Sequence, residues 1–367
     1  MSKKILLIDN SSLTPKGKDF FCESKTGNFA LELQDLGNDI TMYGQVVSKE
    51  SSTHVFNIKK NDIKVYGINR LSNKFFNYLF LYMKIIPYII KSDFIYIFYP
   101  SSFKYISILC FIFRKPYGLY IRGEQDLQSI TSKFIYKKSY KIFTVTDYFT
   151  KLINTLSKSS VAETIRPMIS LNEKNIVPIT SVKKSKIFKI LFLARLEEDK
   201  GIKEILYAIY KLKTMKYNLK LVLVGEGGYK KEVMNIIDKL DIADFIEVKG
   251  AIHDINEIKN IYLDSNVYIL PTYHEGFPRT LYEAMIFGTP IITTFVGGIP
   301  YIMKDKFNCL RIEVKSIESI VNALTYSINN HEKMLDYAKN AQTTVKPIIN
   351  STRLSHAEAL HNAIHNI

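Results

Sequence analysis

The feature that most constrains this chain is a rhythm in its second half. Five short, largely apolar strand candidates, at 188–194, 219–224, 245–248, 267–270 and 290–293, alternate with segments whose apolar residues recur at helical spacing, at 202–212, 229–240, 255–263 and 279–287. Strand–helix alternation then implies a parallel sheet with right-handed crossovers and helices on both sides. The first half carries a looser version of the pattern. Residues 4–8, 40–43, 94–98, 117–121 and 141–145 read as strands. Residues 27–36 read as a helix, with Phe29, Ala30, Leu33 and Leu36 on one face and Gly37 at the C-cap. The polar stretch 167–186, which contains Pro178, reads as a linker between two such halves. At 367 residues the chain is long enough for two α/β domains. Residues 345–367 are helical by pattern, with Leu354, Ala357, Leu360 and Ile364 on one face.

Composition excludes several classes. Cys22, Cys110 and Cys309 lie far apart, which argues against a disulfide framework and a structural zinc site. Asp9 and Asn10 end the first apolar run too early for a signal peptide, so the expected compartment is the cytoplasm. The two most membrane-like stretches, 75–90 and 94–113, are interrupted by Lys84 and Pro87 and by Pro100, Ser101, Ser102 and Lys104. Neither makes the run of roughly 20 apolar residues that a spanning helix needs, although a helix lying on a membrane surface stays open. The net charge is +15, and between Val55 and Val145 fifteen basic residues stand against four acids. Such an excess attracts diphosphates or anionic lipid. No recognised nucleic-acid module accompanies it, so a nucleic-acid partner is not expected.

In doubly wound sheets ligands bind beyond the carboxyl ends of the strands. Three loops there carry groups of one chemical kind. The first, after residue 194, holds Arg195, Lys200 and Gly201, two cations at the start of a helix. The second is Gly225-Glu226-Gly227-Gly228, where backbone can approach a partner closely. The third runs Glu275-Gly276-Phe277-Pro278-Arg279-Thr280-Leu281-Tyr282-Glu283. Here Pro278 fits a first helical turn, and the amides from Gly276 to Leu281 suit an anion. Glu283 falls about one turn further on, where it can accept hydrogen bonds from hydroxyls. Taken singly, the three loops read more simply as surface charges, a glycine turn and a capped helix with acids in its first turn.

Together they resemble a known family. Two glutamates separated by seven residues, Glu275 and Glu283, resemble the signature of family 4 retaining glycosyltransferases of the GT-B architecture. Arg195 with Lys200-Gly201, the Val224-Gly225-Glu226-Gly227 loop, Gly288-Thr289-Pro290 and Gly297-Gly298-Ile299-Pro300 resemble that family's other motifs in the same order, over roughly 187–314.

The resemblance implies an α/β GT-B fold, two Rossmann-like doubly wound parallel-sheet domains facing across a cleft. Residues 1–170 would bind the acceptor, residues 171–344 the nucleotide-sugar, and the helix 345–367 would cross back to the first domain. Arg195 and Lys200 would neutralise the departing diphosphate, Glu275 would contact the transferred sugar and Glu283 the ribose hydroxyls. Gly225, Glu226, Gly276, Phe277, Pro278, Thr280 and Leu281 would line the donor. Neither a metal nor a cofactor is expected.

The implied partners are a UDP-, GDP- or other nucleotide-sugar donor and a glycan or lipid-linked acceptor of bacterial surface polysaccharide, lipopolysaccharide or capsule. A peripheral contact with the anionic inner membrane goes with that acceptor. In the first half Gly27, Arg122 and Glu124 are the acceptor or phosphate candidates.

Some positions depart from the family pattern. Tyr301 stands where a glutamate is common, Asn308-Cys309 where Asn-Gly is usual, and a long loop from Asp9 to Thr26 replaces a glycine pair. A nucleotide-sugar epimerase or hydrolase, or a non-catalytic protein on the same scaffold, are the alternative readings.

Overall fold

The computed structural model describes residues 2–9, 12–47, 54–99, 103–123, 126–179 and 187–367. They fall into two compact units, one made of Met1–Ile169 with Ser351–Ile367, the other of Ser170–Asn350.

The first unit begins with β1 (Lys4–Ile8), β2 (Thr14–Lys16), β3 (Asp19–Glu23), α1 (Ser24–Asp35), β4 (Asp39–Val46), β5 (His54–Asn57) and β6 (Lys64–Asn69). It continues through α2 (Lys74–Lys91), β7 (Phe94–Tyr99), α3 (Ile106–Ile112), β8 (Tyr117–Ile121), α4 (Ile130–Lys138), β9 (Lys141–Thr144), α5 (Asp147–Ser157) and β10 (Ala162–Thr164). A seven-stranded sheet has the order β10-β9-β8-β7-β1-β4-β6, and every pairing in it is parallel. Ile5 and Leu7 point into one core, Leu6 and Ile8 into the other, which is why the run is apolar without alternation.

Two expectations change here. The span 9–26, read as one long loop, contains strands β2 and β3, which with β5 make a separate antiparallel sheet. Helix α1 starts at Ser24, three residues before Gly27. The stretch 75–90 forms one helix despite Pro87, capped by Asn73, whose side chain accepts from Phe75 N at 2.9 Å.

The second unit holds β11 (Phe188–Leu193), α6 (Ile202–Thr214), β12 (Leu219–Val224), α7 (Lys230–Lys239), β13 (Ile246–Gly250), α8 (Ile255–Asp264), β14 (Val267–Leu270), α9 (Arg279–Phe287), β15 (Ile291–Thr294), β16 (Leu310–Ile312), α10 (Ile317–Asn329) and α11 (His331–Val345). Its six strands are ordered β13-β12-β11-β14-β15-β16, again all parallel. The order reverses between β11 and β14. Part of the expected linker, 180–186, lies outside the described residues.

The last helix, α12 (His356–His365), packs on the first unit against α1. Ser355 and Glu358 cap it reciprocally, at 3.1 and 2.6 Å. Ala357, Leu360 and Ile364 enter that unit's core, whereas Leu354 precedes the helix and is exposed, contrary to its expected place on the apolar face. Leu360→Ala should therefore cost about 2–5 kcal/mol in urea unfolding of the first unit. Leu354→Ala should cost under about 0.5 kcal/mol.

Candidate functional site

Where two adjacent parallel strands send their chains in opposite directions, the loops beyond them part and leave a crevice. In the second unit those strands are β11 and β14, and the loops are 194–201 and 271–278. They carry Arg195, Lys200 and Glu275.

Lys200 is buried at the end of a short 3₁₀ turn, Glu198–Lys200. Its ammonium donates to Glu275 Oε1 and lies 3.3 Å from Asp199 Oδ2. His274 Nε2 stands 3.3 Å from the same Asp199 oxygen. The Asp199 carbonyl accepts from Tyr273 N at 2.8 Å and Thr272 Oγ1 at 3.2 Å, which ties one loop to the other. Two carboxylates thus compensate an ammonium that would be costly to bury alone. Arg195 is exposed and makes no ion pair among the described residues.

The flanking glycines serve these loops. Gly225 has φ +144°, and a Cβ there would stand 1.9 Å from the Ala194 carbonyl oxygen. The 225–228 loop is thus glycine-rich because the 194–197 backbone lies on it. Leu196 N donates to Glu226 O at 3.0 Å, and Gly228 N to Glu197 Oε1 at 3.0 Å. Glu226 itself pairs with Lys230 at 2.7 Å. Gly297, with φ +56°, would place a Cβ 1.6 Å from the Glu275 carbonyl oxygen, and Gly298 N donates to Gly276 O at 2.7 Å. The Glu275 loop is therefore fixed from behind by a second loop.

Helix α9 begins at Arg279. Pro278 stands one place before it, in extended backbone, rather than inside the first turn, and no side chain caps the helix. The Leu281 amide donates to the Pro278 carbonyl at 3.1 Å, and Leu281 itself is buried. Thr280 is held from below: the Tyr268 hydroxyl donates to its Oγ1 at 2.6 Å, and the Tyr262 hydroxyl to its carbonyl at 2.9 Å. Phe277 packs on Tyr282 with ring centroids 4.5 Å apart. Tyr262 also lies 3.3 Å from Glu283 Oε2.

Glu283 is half-buried as a residue, yet its carboxyl lies deep. Burial pushes its pKa up to about 7, against the opposing pull of Arg279 and of the Tyr262 hydrogen bond. The two glutamates of the motif therefore differ in kind. Glu275 is tied to a cation, while Glu283 is poised to exchange a proton near neutrality.

Sequence reasoning brought out Arg195, Lys200, Glu275 and Glu283 but missed Asp199, His274, Tyr262 and Tyr268. Asp199 and His274 adjoin Lys200 and Glu275 in the chain, and that adjacency was the available signal. The tyrosines sit on a helix and a strand and come under α9 only through the fold.

The remaining candidates belong to the first unit. Gly27 lies within α1, where a Cβ would fall 2.2 Å from the Phe56 ring, so packing requires glycine there. Arg122 follows β8, its guanidinium carbon 5.2 Å from the Phe98 ring centroid and 5.7 Å from that of Tyr120. Glu124 lies outside the described residues.

Comparison with known proteins agrees with this geometry. Residues 174–344 match the family model of the glycosyl transferases group 1. That part of the chain, which contains the whole crevice of the second unit, is thus similar to the glycosyl transferases group 1. An uncharacterized glycosyltransferase of Haemophilus influenzae is 28% identical over 52% of this chain and 60% of its own length. The putative colanic acid biosynthesis glycosyltransferase WcaL of Escherichia coli is 29% identical over 32% of this chain and 30% of its own. The capsular polysaccharide biosynthesis glycosyltransferase CapM of Staphylococcus aureus is 31% identical over 30% and 29%. The chain thus spans between 29% and 60% of the length of these curated relatives.

The fold as a whole is GT-B. The structure of HepE from Anabaena in complex with UDP aligns with a TM-score of 0.70 at 15% identity, covering 99% of this chain and 100% of that one. The lipopolysaccharide outer core galactosyltransferase WaaB aligns at 0.63 and 15% identity, covering 99% of each.

The raised pKa of Glu283 has a signed consequence. Protonation favours the folded state, so this contribution is fully present below the unfolded pKa near 4.5 and is lost as the pH rises through about 7. Glu283→Gln should flatten the pH dependence of unfolding between pH 5 and 8. At pH 8 it should raise stability by about 1–3 kcal/mol, read from parallel urea curves.

Proposed function

We propose that this chain is a retaining glycosyltransferase. It takes a sugar from a nucleotide-sugar donor and passes it, without a bound metal, to a glycan acceptor carried on a lipid, in the making of a bacterial surface polysaccharide at the cytoplasmic face of the membrane. The observation that carries this reading is Lys200, a buried ammonium held between Asp199 and Glu275 at the strand switch point. Exposed Arg195 and the uncapped start of α9 lie on the loops and helix that follow the same strands.

Negative charge grows on the leaving diphosphate as the glycosidic bond breaks. Cations and amides already fixed in place stabilise that charge more in the transition state than in the ground state. In this reading the diphosphate takes over Lys200 as it arrives. Glu275, released from the ammonium, turns its oxygens to the hydroxyls of the transferred sugar. Glu283, neutral or ionised near pH 7, receives the ribose hydroxyls. Gly276, Phe277 and Thr280 supply backbone near the phosphates, with Gly225 and Glu226 on the neighbouring loop. Arg122, on its aromatic shelf, binds an acidic group of the acceptor.

Retention of anomeric configuration rests on the likeness of the Glu275–Glu283 motif to family 4. The pathway rests on the named roles of WcaL and CapM. HepE has been solved with UDP and glucose and with UDP-glucose, which makes a uridine diphosphate sugar the first donor to test.

The test is a metal-free thermal-shift screen of UDP-, GDP-, ADP- and dTDP-sugars, followed by a transfer assay with the stabilising donor. One sugar nucleotide should raise the melting temperature. Lys200→Ala and Glu275→Ala should each lower turnover by at least about 100-fold while the unliganded melting curve stays cooperative. Turnover near wild type in both variants would refute the site. Donor cleavage that is indifferent to any acceptor would favour an epimerase or hydrolase.

A further inference from the structure

Helix α2 has two apolar faces and only one of them is buried. Asn77, Leu81, Ile85 and Ile89, four residues apart, face the core of the first unit. On the other side Phe76, Leu79, Phe80, Met83, Pro87 and Ile90 repeat at three-, four- and seven-residue spacing, and all are exposed. Phe75, Phe76 and Met83 keep 71%, 57% and 61% of their surface in water. A helix that is apolar all round normally lies wholly inside a protein or against lipid, and an apolar patch this continuous marks an interaction surface.

The same surface has a one-sided charge. Helix α3 lies against both α2 and α4, and none of the three contains an acidic residue. Lys84, Lys91, Lys133, Lys137 and Lys138 are exposed on α2 and α4. Lys84 Nζ sits 5.1 Å from the Phe80 ring centroid and Lys138 Nζ 5.2 Å from that of Phe111. Phe111 in turn meets Phe134 across α3 and α4 at 5.5 Å, and Ile112 and Ile130 are exposed beside them. Aromatic rings bearing ammonium groups at their edge match the boundary between acyl chains and anionic headgroups. No helix among the described residues is long and apolar enough to cross a membrane, so this surface would lie on one.

We propose that the exposed side of α2, with the basic outer surfaces of α3 and α4, docks the first unit on an anionic bilayer, α2 lying flat with Phe75, Phe76, Leu79, Phe80 and Met83 among the acyl chains. A second copy of the chain is the poorer occupant. A two-fold interface sets a patch against itself, which would bring acid-free lysine-rich helices together. This inference extends the lipid-linked acceptor of the proposed function and stands on separate residues.

The chain contains no tryptophan, so Phe76→Trp supplies a single reporter. The full-length protein is mixed at low salt with vesicles of phosphatidylcholine alone and with vesicles containing about one third phosphatidylglycerol. Binding and a blue shift of the reporter are expected only with the anionic vesicles, weakening as salt rises. The exposed pair Phe76→Ser with Met83→Ser should reduce binding at least about tenfold while the donor-induced thermal shift is unchanged. Wild-type protein that ignores anionic vesicles, or a double variant that binds them equally well, overturns the proposal. Concentration-dependent self-association abolished by the same pair, with no vesicle binding, also overturns it and assigns the face to a second copy. In all these cases an intact donor response leaves the glycosyltransferase reading standing.

Discussion

The second unit is organised around one buried cation. Lys200 can be buried only because Glu275 and Asp199 both reach it, and they reach it only because their loops are stitched together by the Asp199 carbonyl and backed by Gly297. In a low-dielectric setting such a cluster is weak as a source of stability but strong as a source of geometry. Its carboxylates hold a positive charge in the place where the strand order opens a crevice. An anionic ligand can then exchange for a carboxylate partner without any ammonium first losing its water. Much of the cost of desolvating the cation is thus met when the chain folds rather than when a ligand arrives.

The contrast between Glu275 and Glu283 shows how one residue type takes two roles. Both belong to the same motif, and nothing in their spacing distinguishes them. Glu275 faces an ammonium, whereas Glu283 lies over Tyr262 with most of its carboxyl shielded from solvent. Surroundings set by β14, α8 and α9 decide which carboxyl is held against a cation and which lies shielded enough to be neutral.

Much of the second unit was legible from sequence because both sheet faces are covered there. Double coverage makes strands such as 219–224, apolar but for Lys220, and 267–270 into runs whose ends match the structure to the residue. The first unit was harder to read. Its small antiparallel sheet of β2, β3 and β5 is made of short, half-polar segments, one of them distant in the chain, and such pairing leaves no local period. The motif residues were legible because strand-end loops announce themselves through glycine, proline and charge. Their supports were not. Tyr262 and Tyr268 look like ordinary core residues until the helix they carry is seen above them.

The path of the chain has a consequence for its synthesis. The second unit, Ser170–Asn350, is inserted within the first, whose core is finished only by Ala357, Leu360 and Ile364 near the carboxyl end. Buried among Phe29, Tyr96, Phe98, Tyr120 and Phe143, His356 fills what would otherwise be a gap in that core. On the ribosome, domains fold as units in the order in which they emerge. The amino-terminal sheet must therefore wait, with the part of its core that Ala357, Leu360 and Ile364 complete still unfilled, while the whole inserted unit is made and folds. The sheet that emerges ahead of the inserted unit is sealed only after it.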